Sequence, residues 1–220
     1  MKKLLLLLFI GIVGIGNAQN VNIPDANFKA YLVGNTAINT NGDAEIQVSE
    51  AAAISGEIDC NGLNISDLTG IEAFTALTYL YCGGNQLTSF DVTQNTALEF
   101  LQCSGNQLTS LDVTQNTALE ELNCWSNQLT SLDVTQNTAL IRLHCNDNQL
   151  TSLDVTQNTA LTELRCDYNQ LTSFDVSQNT ALSWLRCGGN QLTSFDVSQN
   201  TALIDLGCDY NQLTSLDVSQ

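Results

Sequence analysis

Cysteine is the residue type in this chain whose number and spacing first suggest chemistry. The 220 residues include eight cysteines, and from the second onward one recurs every 21 residues: Cys60, Cys82, Cys103, Cys124, Cys145, Cys166, Cys187 and Cys208. An even count in an exported chain suggests disulfides. If the cysteines instead occupy one inward column, neighbours about 4.8 Å apart do not meet the Cβ separation of roughly 3.5–4.5 Å that a disulfide needs. We expect buried free thiols, with neighbouring disulfides and a metal site as the alternatives.

Composition argues against catalysis and against anionic partners. The single histidine, His144, adjoins Cys145, but the alternation of a strand sends the two side chains to opposite faces, which excludes a Cys–His nucleophile pair. Six Lys and Arg stand against 23 Asp and Glu, for a formal net charge of −17. This balance excludes a phosphate-neutralising nucleic-acid binder and a basic membrane-surface helix. We expect a protein that is not an enzyme.

Oxygen-bearing side chains in the segment NTNGDAEIQVSE suggest a calcium loop. Six of them follow the spacing of such a loop: Asn39, Asn41, Asp43, Glu45, Gln47 and Glu50. Ala44 stands where the sharp turn favours glycine, which weakens the match. The segment therefore predicts either a weak Ca²⁺ site, the only cofactor suggested, or a polar capping loop without metal.

A second carboxylate pattern is a column with the 21-residue period: Asp91, Asp112, Asp133, Asp154, Asp175, Asp196 and Asp217. Like charges about 4.8 Å apart repel by roughly 0.9 kcal/mol per pair even in water. Hydrogen bonds from nearby Thr, Ser or backbone N–H groups, raised pKa values or bound cations can offset this repulsion. We expect such bonds together with loosely held cations, rather than a specific divalent-ion site.

The elements that position these columns are coils of a solenoid. Leucines recur with the same period at Leu77, Leu98, Leu119, Leu140, Leu161, Leu182 and Leu203, and the unit from 98 to 118 reads LEFLQCSGNQLTSLDVTQNTA. Alternation predicts two short strands in each coil, with Leu101 and Cys103 inward on the first and Leu111 and Val113 inward on the second. Two parallel sheets then face each other across a thin core. The turn residues Asn106 and Asn116, with their copies, are expected to stack into amide ladders.

This pattern, L-x-x-L-x-C-x-x-N-x-L, resembles the 21-residue bacterial leucine-rich repeats of the IRREKO type, found in secreted surface proteins of the Bacteroidetes. The resemblance covers residues 77–220. It implies a β-rich solenoid of parallel sheets, and residues 54–76 resemble a divergent first repeat of the internalin-like pattern. In that repeat the inward positions are Ile58, Cys60, Ile65, Leu68 and Ile71. Leu63 replaces the ladder asparagine there, so the ladder is expected to begin at Asn85.

The two ends of the chain have their own patterns. Residues 1–18, with two lysines and an apolar run, predict a signal peptide cleaved after Ala18. No second apolar run follows, so we expect no transmembrane segment and a location that is secreted or on the outer-membrane surface of a Gram-negative bacterium. Residues 19–53 predict a short α-helical cap, with Asp25 as helix N-cap and Phe28, Tyr31 and Leu32 on the apolar face. The chain stops at Gln220, in mid-repeat, and chains of the resembled family commonly end in a type IX sorting domain, so we expect a fragment.

Function is suggested by the positions whose residue type changes from one repeat to the next. The outward positions around the first strand vary, and they carry all three arginines, both tryptophans and four of the five tyrosines. The candidate ligand-binding residues are Tyr79, Tyr81, Phe100, Gln102, Asn123, Trp125, Arg142, His144, Arg165, Tyr168, Trp184, Arg186 and Tyr210. Exposed aromatics and arginine on a rigid sheet are typical of a recognition surface. We expect a binding or adhesion module for a protein or glycan ligand at the cell surface.

Two other functions are compatible with the repeats. If the outward positions vary without selection for binding, the repeats are a structural spacer without a ligand. Ice binding is a minor alternative, because one threonine per coil forms a regular array: Thr88, Thr109, Thr130, Thr151, Thr172, Thr193 and Thr214. These threonines are predicted at a turn, not in outward pairs on a strand.

Overall fold

A single parallel sheet organises the computed structural model, which describes residues 19–216. Its eight strands of three residues each pair in chain order, each with the next. The strands are β1 Glu57–Asp59, β2 Tyr79–Tyr81, β3 Phe100–Gln102, β4 Glu121–Asn123, β5 Arg142–His144, β6 Glu163–Arg165, β7 Trp184–Arg186 and β8 Asp205–Gly207. Equivalent residues of successive coils stand opposite each other, as Leu80 does to Leu101. The predicted β-solenoid is confirmed.

The core is a continuous apolar column running through the coils. In the unit from 98 to 118 it consists of Leu101, Cys103, Leu108 and Val113, all fully buried. The inward positions expected in the divergent first repeat are buried as well: Ile58, Cys60, Ile65, Leu68 and Ile71. Burying such side chains stabilises the fold by about 1.5–3 kcal/mol each.

The second sheet predicted from alternation is wrong. Leu111 and Val113 are buried and Asp112 is exposed, as expected, but the segment is not a strand in any described coil. Local bonds occupy the groups that a strand would need. Asp112 Oδ1 accepts from the backbone N–H of Thr114 at 2.9 Å, and the carbonyl of Val113 accepts from Asn116 N–H at 3.0 Å. Each coil therefore has one strand and, opposite it, an extended segment that ends in a tight turn.

The first asparagine ladder is confirmed and ties each coil to the preceding one. Asn106 Nδ2 donates to the carbonyls of Cys82 and Cys103, each at 3.0 Å. Its Oδ1 accepts from the backbone N–H of Leu87 at 3.0 Å. The ladder begins, as expected, at Asn85, which makes the same contacts to the first repeat. Each amide thus satisfies backbone groups of two coils that would otherwise be buried without partners.

The second ladder runs along the turn opposite the sheet. Asn116 Nδ2 donates to the carbonyls of Val92 and Asn95, both at 2.9 Å. The side-chain oxygens of this column are buried and accept no hydrogen bond at Asn95, Asn116, Asn137, Asn158 and Asn179. These asparagines act through their two donors, so carboxylates would not substitute for them.

The N-terminal cap contains two helices, α1 Ala26–Gly34 and α2 Val48–Ala53. Asp25 caps α1, Phe28 and Leu32 are buried beneath it, and Tyr31 is half-buried. The sequence pattern predicts only one helix; the second, α2, begins where Gln47 and Glu50 form a capping box. Within residues 19–216 no helix is long and apolar enough to cross a membrane. The predicted signal peptide, residues 1–18, lies outside the described residues.

Candidate binding face

The outward side chains of the sheet form two straight columns. In each strand from β2 to β7 the central leucine is fully buried, while the first and third residues project to the other side of the sheet. The first column is Tyr79, Phe100, Glu121, Arg142, Glu163, Trp184 and Asp205. The second is Tyr81, Gln102, Asn123, His144, Arg165, Arg186 and Gly207. We call these columns, with the two residues after each cysteine, the strand face.

All thirteen predicted ligand-binding residues lie on the strand face. Ten are in the two columns, and three, Trp125, Tyr168 and Tyr210, lie just beyond the strands. The large aromatics among them are well exposed: Trp125 by 42%, Trp184 by 45%, Tyr168 by 56% and Tyr210 by 78%. The structure thus brings the thirteen residues together on one surface, and their role in binding a ligand stays a prediction.

Acidic partners of the arginines were missed. Arg165 Nε donates to Glu163 Oε1 at 2.7 Å, and Nε2 of His144 lies 3.0 Å from the same oxygen. Arg186 Nη2 pairs with Asp205 Oδ2 at 2.6 Å. Arg142 and Glu121 form an equivalent ion pair. The sequence contained the information needed to find them, because Glu121, Glu163 and Asp205 occupy the same repeat position as Tyr79.

These ion pairs alter the electrostatics of the face. The three arginines are bonded to carboxylates of their own or an adjacent strand, so they are not free positive charges. Hydrogen bonding to Arg165 and attraction to His144 together outweigh burial and lower the pKa of Glu163. The middle of the strand face is therefore a network of ion pairs in which each arginine is bonded to a carboxylate.

Aromatic rings cluster at the N-terminal end of the face. The ring centroids of Tyr81 and Phe100 lie 4.8 Å apart with an interplanar angle of 33°. Those of Tyr79 and Phe100 lie 6.2 Å apart. The Tyr79 hydroxyl donates to Glu99 Oε2 at 3.2 Å, and this bond raises the pKa of Tyr79. The three rings form a half-exposed apolar platform.

A left-handed backbone conformation recurs at the second residue after each cysteine. Gly84, Gly105 and Gly189 adopt it without penalty, but Tyr168 and Tyr210 occupy the same position with φ of 52° and 54°. Such a conformation costs a non-glycine residue on the order of 1–3 kcal/mol. The Tyr168 ring lies over Gly189, where an added Cβ would stand only 2.6 Å from a ring carbon. Two exposed aromatics are thus held in a strained conformation at the edge of the strand face.

The cysteines do not form an active site. None is in a disulfide, and all are buried except Cys208, which is half-buried, so the expected column of free thiols is confirmed. Burial raises the pKa of Cys124 to about 12, which keeps the thiol protonated and poorly nucleophilic. His144 points outward on the strand face while Cys145 is fully buried. The predicted separation of these two side chains is confirmed.

The aspartate column lies opposite the sheet and is hydrogen-bonded as expected. Asp112 Oδ1 accepts from the Thr114 hydroxyl at 2.7 Å and from its N–H at 2.9 Å, and both bonds lower the pKa of Asp112. Asp154 makes the same bonds with Thr156. Asp217, the last member, lies outside the described residues. The threonine array from Thr88 to Thr214 is exposed but belongs to no strand.

The predicted calcium loop is closed by its own hydrogen bonds. Glu50 Oε1 accepts from Thr40 N–H at 2.8 Å and from Asn41 N–H at 3.1 Å, while Oε2 accepts from Gln47 N–H at 3.0 Å. Glu45 is turned away and pairs with Lys29 at 2.7 Å.

The remaining ligands of that loop are also engaged. Asn39 donates to the carbonyl of Asp43 at 2.8 Å, and Asn41 donates to Asp43 Oδ2 at 3.0 Å. No group of three or more His, Cys, Asp or Glu side chains in residues 19–216 could hold a metal ion. These hydrogen bonds are those that the alternative, a polar capping loop, requires, and calcium binding stays a prediction.

The described chain has the fold of a leucine-rich-repeat solenoid, and the family of leucine-rich repeats in two copies matches residues 96–136. Internalin J of Listeria monocytogenes is 43% identical over 82 residues, which are 36% of this chain and 9% of that protein.

Solved structures agree with this assignment. The functional domain of InlJ from Listeria monocytogenes, described as including a cysteine ladder, is 37% identical with a TM-score of 0.54, over 91% of this chain and 54% of that one. A leucine-rich-repeat protein of Leptospira interrogans is 28% identical with a TM-score of 0.63, over 67% of this chain and 41% of that one. The chain therefore spans about half or less of the length of these relatives.

Proposed function

We propose that this chain is a non-enzymatic binding module that recognises a protein or glycan partner through the strand face. One observation carries the proposal. Every exposed large aromatic side chain among residues 19–216 lies on this face: Tyr79, Trp125, Tyr168, Trp184 and Tyr210. Soluble proteins keep such groups exposed together mainly where they bind something.

Two further features favour a binding function over that of a structural spacer. The register places the outward side chains in fixed columns, so a partner meets a preorganised surface and little ordering entropy is lost on association. The ion pairs of Arg165 and Arg186 hold charged groups in defined positions, which favours specificity over general stickiness. A spacer requires neither property.

The location we propose is extracellular, on the bacterial surface or secreted. This rests on the signal-peptide pattern of residues 1–18 and on the resemblance of the repeats to those of secreted Bacteroidetes proteins. A non-catalytic role rests on the protonated, buried thiols and on the outward position of the single histidine. These arguments make adhesion or partner capture the preferred function.

The decisive experiment is a binding screen of the chain beside two variants, against arrays of extracellular proteins and glycans. In the first variant, Tyr81, Trp125, Arg165 and Trp184 are changed to Ser. In the matched control, the exposed residues Thr109, Gln115, Thr130 and Gln136 are changed to Ser away from the sheet. Binding by the chain and the control but not by the first variant supports the proposal. Equal behaviour of all three favours the spacer.

A further inference from the structure

A shallow depression of about 390 Å³ opens beside Trp125 at the edge of the strand face. It is lined by Asn61, Gly62, Gly83, Gly84, Gln102, Ser104, Gly105 and Trp125. From this combination of a bare floor, one exposed indole and uncharged amides, we propose that the depression is a subsite for a neutral pyranose sugar ring. The inference deepens the proposed binding function and rests on it.

The floor of the depression is glycine backbone, and the fold does not require glycine at these positions. Gly84 and Gly105 adopt the left-handed conformation, yet Tyr168 and Tyr210 stand at the same position in later coils. An added Cβ at Gly105 would meet only ordinary contacts, the nearest being 3.6 Å from the backbone nitrogen of Gly84. The glycines in successive coils thus leave an open surface that larger residues would fill.

Polar groups lie at the wall of the depression. Gln102 Nε2 donates to Ser104 Oγ at 2.7 Å, and Gly83 N–H donates to Asn61 Oδ1 at 2.6 Å. Asn61 Nδ2 makes no hydrogen bond within the described residues, so it is available to a ligand. A side chain at Gly83 would displace the Gln102 amide from its present position, since its Cβ would stand 2.5 Å from Nε2. Gly83 therefore allows this amide to lie across the end of the strand.

The chemistry of the lining selects the ligand class. No lining residue is charged, so the depression offers neither an anion nor a cation an ion-pair partner, and the net charge of −17 repels anions further. The depression is too open to bury most of an apolar molecule, as hydrophobic ligands require. A pyranose ring has an apolar C–H face, which suits the indole of Trp125, and a rim of hydroxyls, which suits amides and backbone groups.

Tryptophan fluorescence provides a direct test. The chain has two tryptophans, so in Trp184→Phe the remaining one, Trp125, reports on the depression. This variant is titrated with methyl glucoside, methyl galactoside, methyl mannoside and N-acetylglucosamine. We expect a saturable change in emission with at least one of these neutral sugars, in the millimolar range, and a weaker response to glucuronate. No saturable change with any of the four overturns the subsite.

Blocking variants test the position, read by saturation-transfer NMR on the same sugars. Gly105→Asn suits the left-handed backbone and fills the floor, and we expect it and Trp125→Ala to weaken binding about tenfold or more. Asp147→Asn places the same side chain at the same repeat position two coils away and is expected to change binding less than about twofold. Equal binding by Gly105→Asn and Asp147→Asn contradicts the site. Loss of sugar binding with retained partner binding in the array screen separates this inference from the proposed function.

Discussion

Asp25 of the N-terminal cap is joined to Ser66 of the first repeat by two hydrogen bonds, to the backbone N–H at 2.9 Å and to the hydroxyl at 3.0 Å. Both use Oδ2. The other oxygen, Oδ1, accepts from the N–H groups of Asn27 and Phe28 and caps α1. One carboxylate therefore both starts the helix and attaches it to the solenoid.

This dual role predicts graded effects of substitution. Asp25→Ser retains a helix cap but loses the second oxygen, whereas Asp25→Ala loses both functions. We expect Asp25→Ala to destabilise the cap by about 1–3 kcal/mol and Asp25→Ser by less. Urea unfolding followed by the protection of cap amides from hydrogen exchange measures this. Equal losses in the two variants would show that the helix cap contributes nothing, and an unchanged stability of Asp25→Ser would show the same of the attachment to Ser66.

Acid sensitivity follows from the same carboxylate and from Glu50. Burial acts to raise the pKa of each, but several hydrogen bonds outweigh it, so both pKa values lie below their ordinary values of 3.8 and 4.5. A lowered pKa in the folded state stabilises the protein at pH above the ordinary value, and this stability is lost as pH falls through the lowered one. We expect Tm to fall below about pH 4.5, and to fall less steeply in Asp25→Asn and Glu50→Gln. Identical slopes in all three proteins would contradict the assignment.

The second asparagine ladder predicts that substitution lowers the stability of the fold strongly at the buried Asn137 and little at its exposed neighbour Gln136. Asn137 is fully buried and donates to the carbonyls of Val113 and Asn116 at 2.9 and 2.8 Å. Asn137→Ala leaves those bonds unmade and should cost about 1–3 kcal/mol. Gln136, which is exposed, serves as the matched control, and Gln136→Ala should change Tm little. Thermal unfolding by circular dichroism compares the two, and a similar Tm would refute a structural role for the ladder.

Thiol accessibility should follow burial coil by coil. Cys208 is half-buried while the other seven cysteines are buried, and burial raises the pKa of both Cys60 and Cys187 to about 12. We expect an aromatic disulfide reagent at pH 8 to modify Cys208 first and the others only on unfolding, identified by peptide mass spectrometry. Eight thiols should react in denaturant without reductant. Fewer than eight would indicate disulfides.

The aspartate column predicts a general effect of salt. Its members repel one another across coils, although Asp112 and Asp154 are stabilised by neighbouring hydroxyls. Screening should raise Tm with NaCl, and CaCl₂ at equal ionic strength should add little. A saturating stabilisation by Ca²⁺ at constant ionic strength, lost in Glu50→Gln, would instead establish the predicted weak calcium loop.

The exact 21-residue period explains which features of the fold could be predicted from the sequence. Strand register, buried leucines and the ladders from Asn85 onward follow from repetition, because equivalent residues of adjacent coils must meet. Alternation at Leu111 and Val113 could not separate a strand from an extended segment, since both bury alternate side chains and only hydrogen bonding distinguishes them.

Other features lay beyond the pattern. The helix α2 falls in a segment without a repeat, where the polar spacing of residues 39–50 suggested metal ligands. Glu121 and Asp205 pair with arginines of a neighbouring coil, and Glu163 lies beside both Arg165 of its own strand and His144 of the preceding one. Alternation along a single strand does not predict these contacts. The depression beside Trp125 depends on which coils carry glycine, and its shape emerges only once the coils are stacked.

Equivalent residues of adjacent coils pair in register, as Leu80 does with Leu101. One 21-residue coil can therefore be gained or lost as a unit during evolution. Duplicating or deleting one 21-residue segment restores every backbone bond and every ladder amide at the junction, because each coil presents the same two surfaces to its neighbours. Recombination between the near-identical repeats therefore lengthens or shortens the strand face in steps of about 4.8 Å. It also shifts the aromatic and charged positions relative to each other while the core stays the same.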